Sequence, residues 1–275
     1  MKKIIIANWK MNKTFDEAHA WVESMNLNLT KELLNKSQII LCPPAIMLDS
    51  IDGQLLDNEL AEIELLKGDV ETIDQSELEQ FIKELRKISL GAQDCSSYEK
   101  GAFTGDISAA MVKDSGAEYV ILGHSERRQF NNESDEIIAK KIAQAIKSDL
   151  VPILCIGESK ELRESGEFKN FLKNQIEKSI PKNLTIEKLI LAYEPIWSIG
   201  TGLVPTCAQI EETLELIKSE LLANKNILIS KILYGGSVTK ENSAEILKTK
   251  NVDGLLVGGA SLDPNGFLEI IKLGS

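Results

Sequence analysis

Eight short apolar runs recur along the chain, and no other feature narrows its possible folds so far. They span residues 3–7, 38–42, 88–92, 119–122, 151–156, 189–193, 231–233 and 254–257. Each has the length of a strand and is apolar nearly throughout, the pattern of parallel strands covered on both faces. Between them lie segments of helical character. Ile142, Ala143 and Ile146, and further on Ile210, Leu214, Ile217 and Leu221, recur at the spacing of one helix face. Thr14 with Glu17, and Thr206 with Gln209, have capping-box spacing at helix starts. A strand and a helix alternating eight times within about 250 residues favours an α/β fold of the (β/α)8 barrel type over a doubly wound sheet.

The rhythm breaks once, between the second and third runs, where the interval from Pro44 to Gly91 exceeds every other crossover. Residues 49–87, approximately, read as an acidic insertion within a single domain spanning 1–275. They hold twelve Asp and Glu against four Lys and Arg, contributing −8 of a formal net charge of −11. Ser76-Glu77-Leu78-Glu79 has the form of a capping box, and Leu78, Phe81, Ile82, Leu85 and Ile88 follow at helical spacing, so the insertion is expected to be helical. Two uses stay open for it: a solvated acidic decoration, or a surface for a partner or for assembly.

Composition limits the partners. With 275 residues, 43% of them hydrophobic, the chain can bury a sizeable core. Its negative charge argues against nucleic acid and anionic membranes, so an anionic small substrate would need local positive potential. The four cysteines, Cys42, Cys95, Cys155 and Cys207, lack C-x-x-C spacing, and only two histidines accompany them, so no metal site is expected. Cys42 and Cys155 lie inside apolar runs and read as buried thiols of a cytoplasmic protein. The opening Met-Lys-Lys-Ile-Ile-Ile-Ala gives way to Asn8-Trp9-Lys10 too soon for a secretory signal and reads as a strand. No window approaches the length of a membrane span.

In a barrel, reactive residues stand at the C-terminal ends of strands. After the first run come Asn8, Trp9 and Lys10; after the fourth, Gly123-His124-Ser125-Glu126-Arg127-Arg128; after the sixth, Glu194; after the seventh, Gly235-Gly236-Ser237; after the eighth, Gly258-Gly259. Taken singly, each has an ordinary reading as a solvated charge, a structural histidine or a turn. One barrel mouth would gather them into a base, an imidazole, a cation and glycines whose backbone N–H groups can cradle an anion. Behind Glu194, Pro195 ends the strand, and Ile196, Trp197 and Ile199 with Gly200 and Gly202 suggest a lid.

Several of these stretches together resemble the triosephosphate isomerase family. Asn8-Trp9-Lys10-Met11-Asn12 resembles its first-strand motif, Gly123 through Arg128 its fourth-strand motif, and Ala192 through Gly202 its sixth-strand base and lid. Cys155-Ile156-Gly157-Glu158 and Tyr234-Gly235-Gly236-Ser237-Val238 match as well, and Gly101-Ala102-Phe103-Thr104-Gly105-Asp106 resembles the protruding third loop by which family members dock into a partner subunit. The resemblance implies a TIM barrel that interconverts dihydroxyacetone phosphate and glyceraldehyde 3-phosphate, in glycolysis and gluconeogenesis, through an enediolate and with no metal or organic cofactor. It implies Glu194 as the base and His124 as the donor to the oxygens. The resemblance also implies that His124 acts as a neutral imidazole at a helix N-terminus. Lys10 would hold substrate charge with Glu126 as its partner, Asn8 would hydrogen-bond the substrate oxygens, and Gly200, Ser237, Gly258 and Gly259 would bind the phosphate. A homodimer through the loop 94–106 is also implied.

The chain departs from the family pattern at Leu203-Val204-Pro205, where many members have Lys-x-Ala. The resemblance implies a closed lid latched by a backbone N–H at position 205 to the Tyr234 hydroxyl, and proline has none to give. Asp106 stands for the usual Glu of the third loop and Asp94 for the usual Asn. Two rival readings are a barrel without activity that serves as a scaffold through its acidic segment, and another phosphate-binding barrel enzyme such as an aldolase or epimerase. The second would want a Schiff-base lysine or a cluster of metal ligands at the strand ends.

Overall fold

The computed structural model describes residues 2–199, 203–223 and 227–274. Its strands are β1 (Lys3–Asn8), β2 (Ser37–Cys42), β3 (Ile88–Ala92), β4 (Tyr119–Leu122), β5 (Val151–Ile156), β6 (Ile186–Tyr193), β7 (Ile227–Tyr234) and β8 (Gly254–Val257). They pair in parallel in chain order, and β8 returns to β1 to close the barrel. The helices are α1 (Phe15–Asn28), α2 (Lys31–Lys36), α3 (Leu48–Lys67), α4 (Gln75–Leu85), α5 (Ala109–Asp114), α6 (Ser125–Phe130), α7 (Asp135–Lys147), α8 (Lys160–Ser165), α9 (Phe168–Ser179), α10 (Cys207–Ala223), α11 (Ser243–Lys248) and α12 (Pro264–Leu273). Among the described residues no helix is long and apolar enough to cross a membrane.

The apolar runs split into two faces with the period of a strand. Ile4, Ile6, Ile40, Cys42, Ile121, Ile153, Cys155, Ile190, Ala192, Leu233 and Leu256 fill the barrel interior. Their neighbours Ile5, Ala7, Ile39, Leu41, Leu154, Leu191 and Val257 join the larger layer beneath the helices. Both faces are dry, which is why the runs carry no alternation. The same parity positions the chemistry: Asn8 follows Ile6, and Glu194 follows Ala192, each two residues further toward the mouth.

Strands β6 and β7 begin earlier than their apolar runs, with Lys188 paired to Ile229 and Ile190 to Lys231. Polar side chains at this rim, with Glu187 and Lys188 exposed, interrupt the hydrophobic signal without interrupting the ladder. Both expected capping boxes form. Glu17 takes the Thr14 N–H while Thr14 caps α1, and Gln209 and Thr206 exchange the same pair of bonds before α10.

The long second crossover is helical. The start of α3 is an ordinary barrel helix, with Leu48, Ile51 and Leu55 buried in the main core. Helix α4 packs on α3 with no fully buried side chain; Leu78, Phe81, Ile82 and Leu85 are half-buried. Two details correct the sequence reading. The cap of α4 is Asp74, whose carboxylate accepts the Ser76 N–H at 2.9 Å, so the helix starts ahead of Ser76. Ile88 is not on that helix but opens β3, because the chain turns out of the helix at Arg86. Arg86 there grips Glu59 with Nε at 2.9 Å and Nη2 at 3.1 Å, and Asp52 with Nη1 at 2.7 Å. Burial pushes the Glu59 carboxyl up, against the opposing pull of Arg86.

Candidate active site

A cavity of about 530 Å³ opens at the C-terminal mouth of the barrel, lined by Asn8, Lys10, His124, Glu126, Glu194, Gly235, Gly236, Ser237, Gly258 and Gly259 together with apolar walls from Ile196, Ile199 and Leu256. Every site residue expected from the sequence is therefore brought to one place, except Gly200, which lies outside the described residues.

The end of β1 supplies a cation in an uncommon backbone setting. Lys10 has φ of 53°, a region that costs a side-chain-bearing residue roughly 1–2 kcal/mol. Neighbours hold it there. Its N–H donates to Asn8 Oδ1 at 3.0 Å, and its carbonyl accepts from Gln93 Nε2 at 2.8 Å. The ammonium meets Glu126 Oε1 at 2.6 Å. One carboxylate is thus matched to one ammonium at the wall of the cavity.

The end of β4 supplies the imidazole. His124 is the N-cap of α6, and its Nδ1 accepts the Glu126 backbone N–H at 3.3 Å. With Nδ1 turned to that N–H, Nε2 is the ring nitrogen presented to Glu194 and the cavity. The two arginines of this motif face away from the cavity. Arg128 donates to the carbonyls of Gly123 and Cys155 and pairs with Asp135. Arg127 pairs with Glu133 at 2.6 Å and with Asp94 at 2.8 Å, and Lys141 meets the same two carboxylates. Burial pushes the Asp94 carboxyl up to about 6 despite these cations, with Glu133 adding to the rise.

Glu194 is 2% exposed. Its Oε2 accepts the Ser125 N–H at 3.0 Å. Its Oε1 lies 3.1 Å from His124 Nε2, off the line of a hydrogen bond, and has no other partner among the described residues. A buried carboxylate oxygen without a donor keeps a lone pair available for a proton. The backbone beneath it is fixed by close approach: a Cβ on Gly157 would stand 1.7 Å from the Glu194 carbonyl oxygen. Glu158, wholly buried, accepts from Tyr193 at 2.9 Å, Arg163 at 2.9 Å and Trp197 at 3.2 Å, tying the end of β6 to the turn that follows it. Beside the carboxylate, burial and then the charge of Glu194 push the Cys155 thiol well up, so it stays neutral.

The opposite wall is backbone. A Cβ on Gly236 would stand 2.3 Å from Tyr234 Oη, so this turn admits glycine alone, while Gly259 opens to free space. The N–H of Ser237 is turned to Ser198 Oγ at 3.3 Å, and Ser237 Oγ donates to the Ser198 carbonyl at 2.6 Å. Burial pushes the Tyr234 phenol up to about 12.

The sequence model of the triosephosphate isomerase family matches residues 3–76 and 69–274. The chain belongs to the triosephosphate isomerase family. It is 41% identical to the triosephosphate isomerase of Thermodesulfovibrio yellowstonii over 98% of this chain and 99% of that one. With the triosephosphate isomerase of Mycoplasma mobile it shares 40% identity over the same fractions. A solved triosephosphate isomerase from Bartonella henselae matches the fold with a TM-score of 0.79 at 32% identity, covering 99% of each chain. The chain is an isomerase of glycolysis that interconverts dihydroxyacetone phosphate and glyceraldehyde 3-phosphate.

Three groups at this site were not singled out from the sequence. Gln93 supports the Lys10 carbonyl, the Ser125 N–H holds Glu194, and the Ser198 hydroxyl donates to the Leu203 carbonyl. Gln93 acts with its side chain on a backbone carbonyl and Ser125 acts through its own N–H, and spacing reveals neither. Ser198 had a signal of its own, a small polar residue between the large apolar Trp197 and Ile199.

Proposed function

We propose that Glu194 is the base of the isomerisation, moving a proton between the two carbons flanked by the carbonyl and hydroxyl oxygens. His124 Nε2–H and the Asn8 amide donate to those oxygens as negative charge grows on them, and Lys10 adds a full positive charge. Glu126 orients Lys10. The N–H groups of Ser237, Gly258 and Gly259, with Gly200 from the lid, hold the phosphate at the rim after β7 and β8, where barrels of this type bind it. Glu194 must leave the Ser125 N–H to reach the substrate. Closure of the lid over residues 195–206 then excludes water, strengthens each of these interactions and protects the enediolate from losing its phosphate.

The observation that carries this reading is the meeting at one cavity of a buried Glu194 oxygen that has no hydrogen-bond donor among the described residues with His124 Nε2, 3.1 Å away. Isomerisation run in deuterium oxide tests it. Product carrying one carbon-bound solvent deuterium is expected, and product in which the migrating hydrogen never exchanges would point to direct hydride transfer instead.

The same reading makes residues 1–275 one barrel domain of a cytoplasmic enzyme, with approximately 49–87 an acidic insertion within it. It makes the enzyme a homodimer through the loop 94–106. In support, that loop is ordered by the Ser96–Asp106 bond at 2.7 Å and by Tyr98 stacked on Phe103 at 3.9 Å, both rings partly exposed. A recess of about 330 Å³ beside Lys10, edged by Met11, Gln93 and Phe130, is the place for a partner's loop to enter.

A further inference from the structure

At its N-terminal rim the barrel is not zipped evenly. Strands β5 and β6 pair only from Ile153 with Ile190 onward, although Val151 and Pro152 already belong to β5 and Ile186 through Leu189 to β6. Pro152 accounts for the gap. The Val151 N–H donates to the Glu118 carbonyl on the β4 side at 2.8 Å, and successive residues of a strand address opposite neighbours, so the nitrogen of Pro152 faces β6 with no hydrogen to give. On β6, the Glu194 N–H donates to the Ile156 carbonyl of β5, while the Tyr193 carbonyl accepts from Gly235 at the end of β7. By the same alternation the backbone groups of Ile186 and Lys188 face β5, and among the described residues they find no backbone partner there. Ile186 is 1% exposed, so bulk water does not serve its backbone. A cavity of about 350 Å³ occupies the gap, with apolar walls from Ile146, Leu150 and Val151 and with Asp149, Glu187 and Lys188 also lining it.

A strand edge with unpaired N–H and C=O groups beside an apolar wall suits an extended peptide, bound main chain to main chain. This edge ends blind, because β5 closes onto β6 at Ile153, so a guest enters only by a chain end. The polar groups select which end. Next to the closure stands the Lys188 carbonyl, an acceptor left over because Pro152 cannot donate, and the charged residues lining the cavity are two carboxylates, Asp149 and Glu187, against one ammonium, Lys188. An α-ammonium brings N–H donors and the opposite charge, whereas a terminal carboxylate would meet an acceptor and its own sign of charge. We propose that this cavity, at the opposite end of the barrel from Glu194, is a second binding site that takes the amino terminus of an extended peptide with apolar leading residues. The α-ammonium donates to the Lys188 carbonyl, the following backbone pairs antiparallel along β6 toward Ile186, and the apolar side chains lie against Ile146, Leu150 and Val151.

The probe is the tetrapeptide amide Leu-Val-Thr-Val-NH2 with a free amino group, titrated into the isotope-labelled full chain and followed by amide NMR. Saturable shifts at Val151, Glu187 and Lys188 are expected, with a Kd on the order of 1 mM or tighter. The N-acetylated peptide lacks the ammonium and should bind roughly 10-fold more weakly, the share of one hydrogen bond from a charged donor. Pro152→Ala tests the origin of the site. It supplies the N–H that the Lys188 carbonyl lacks, so the ladder should close earlier, the new amide at 152 should be protected from hydrogen exchange, and the peptide should no longer bind. Absence of saturable shifts in the wild-type protein overturns the proposal, and so does equal binding of the acetylated and free peptides. Peptide binding retained in Pro152→Ala contradicts it as well. If that variant does not fold, the two peptides compared on the wild-type protein decide alone.

Discussion

The side-chain amide of Gln93 holds the carbonyl of Lys10 at 2.8 Å and, with the same nitrogen, that of Cys42 at 3.0 Å. The cation of the site is therefore set by a residue from the neighbouring β3 loop. Lys10 keeps its left-handed backbone because Asn8 and Gln93 hold both sides of it.

Gln93→Leu removes that support and leaves the Lys10 carbonyl short of a donor, at roughly 1–3 kcal/mol where no water replaces it, while the Cys42 carbonyl keeps the Trp9 N–H at 3.2 Å. Lys10 is then free to relax, and a displacement of about 1 Å at a site group costs on the order of 100-fold in rate. The expected outcome is a large fall in kcat/KM with weaker competitive inhibition by inorganic phosphate, measured together with a lowered melting temperature. Wild-type kinetics would show that Lys10 holds its conformation unaided.

Asp94 carries a stability prediction with a definite sign. Its folded value of about 6 lies above the ordinary 3.8, so the folded protein binds a proton more tightly than the unfolded chain. Stability from this group is present at low pH and is lost as pH rises through about 6. At neutral pH the charged carboxylate costs roughly 1–3 kcal/mol, since each pKa unit is worth about 1.4 kcal/mol. Asp94→Asn removes that cost while its amide carbonyl still accepts from Lys141. Thermal melts should show the variant more stable at about pH 8, with the advantage fading toward about pH 4. A variant less stable at about pH 8 would mean that the Lys141 and Arg127 pairs outweigh burial.

Arg86 fastens α4 to α3 through Glu59, whose side chain is 5% exposed. Arg86→Met leaves that carboxylate buried and unpaired, a loss of about 3–5 kcal/mol for a broken buried pair. Because α4 buries no side chain fully, the damage should stay local: limited proteolysis cuts in or beside α4 first, while turnover holds. Glu59→Leu added to Arg86→Met should restore resistance to proteolysis, as replacing both partners removes the stranded charge. Proteolysis unchanged in the single variant would show that the apolar contacts of Leu78, Phe81, Ile82 and Leu85 suffice.

The barrel was legible in the sequence because strands covered on both faces leave nearly pure apolar runs. It was less legible where β6 and β7 reach the open rim, since Glu187, Lys188 and Ser230 belong to the ladder yet read as loop. Asn8, Lys10, His124, Glu126, Glu194, Ser237, Gly258 and Gly259 were legible because each stands at a strand end in a recognisable motif. Gln93 and Ser198 were not, because their contribution comes from contacts with residues distant in the chain. The start of α4 was misplaced for a local reason: Asp74 and Ser76 are both good caps, and only the structure shows the carboxylate taking the helix.

The account turns on Glu194 as the base, and Glu194→Asp tests it most directly. Shortening the side chain by one methylene withdraws the carboxylate by about 1.5 Å while keeping its charge. The predicted result is a fall in kcat of roughly 100-fold or more with KM little changed and the melting temperature preserved. Turnover at the wild-type level in that variant would contradict the assignment and require another base at the mouth of the barrel.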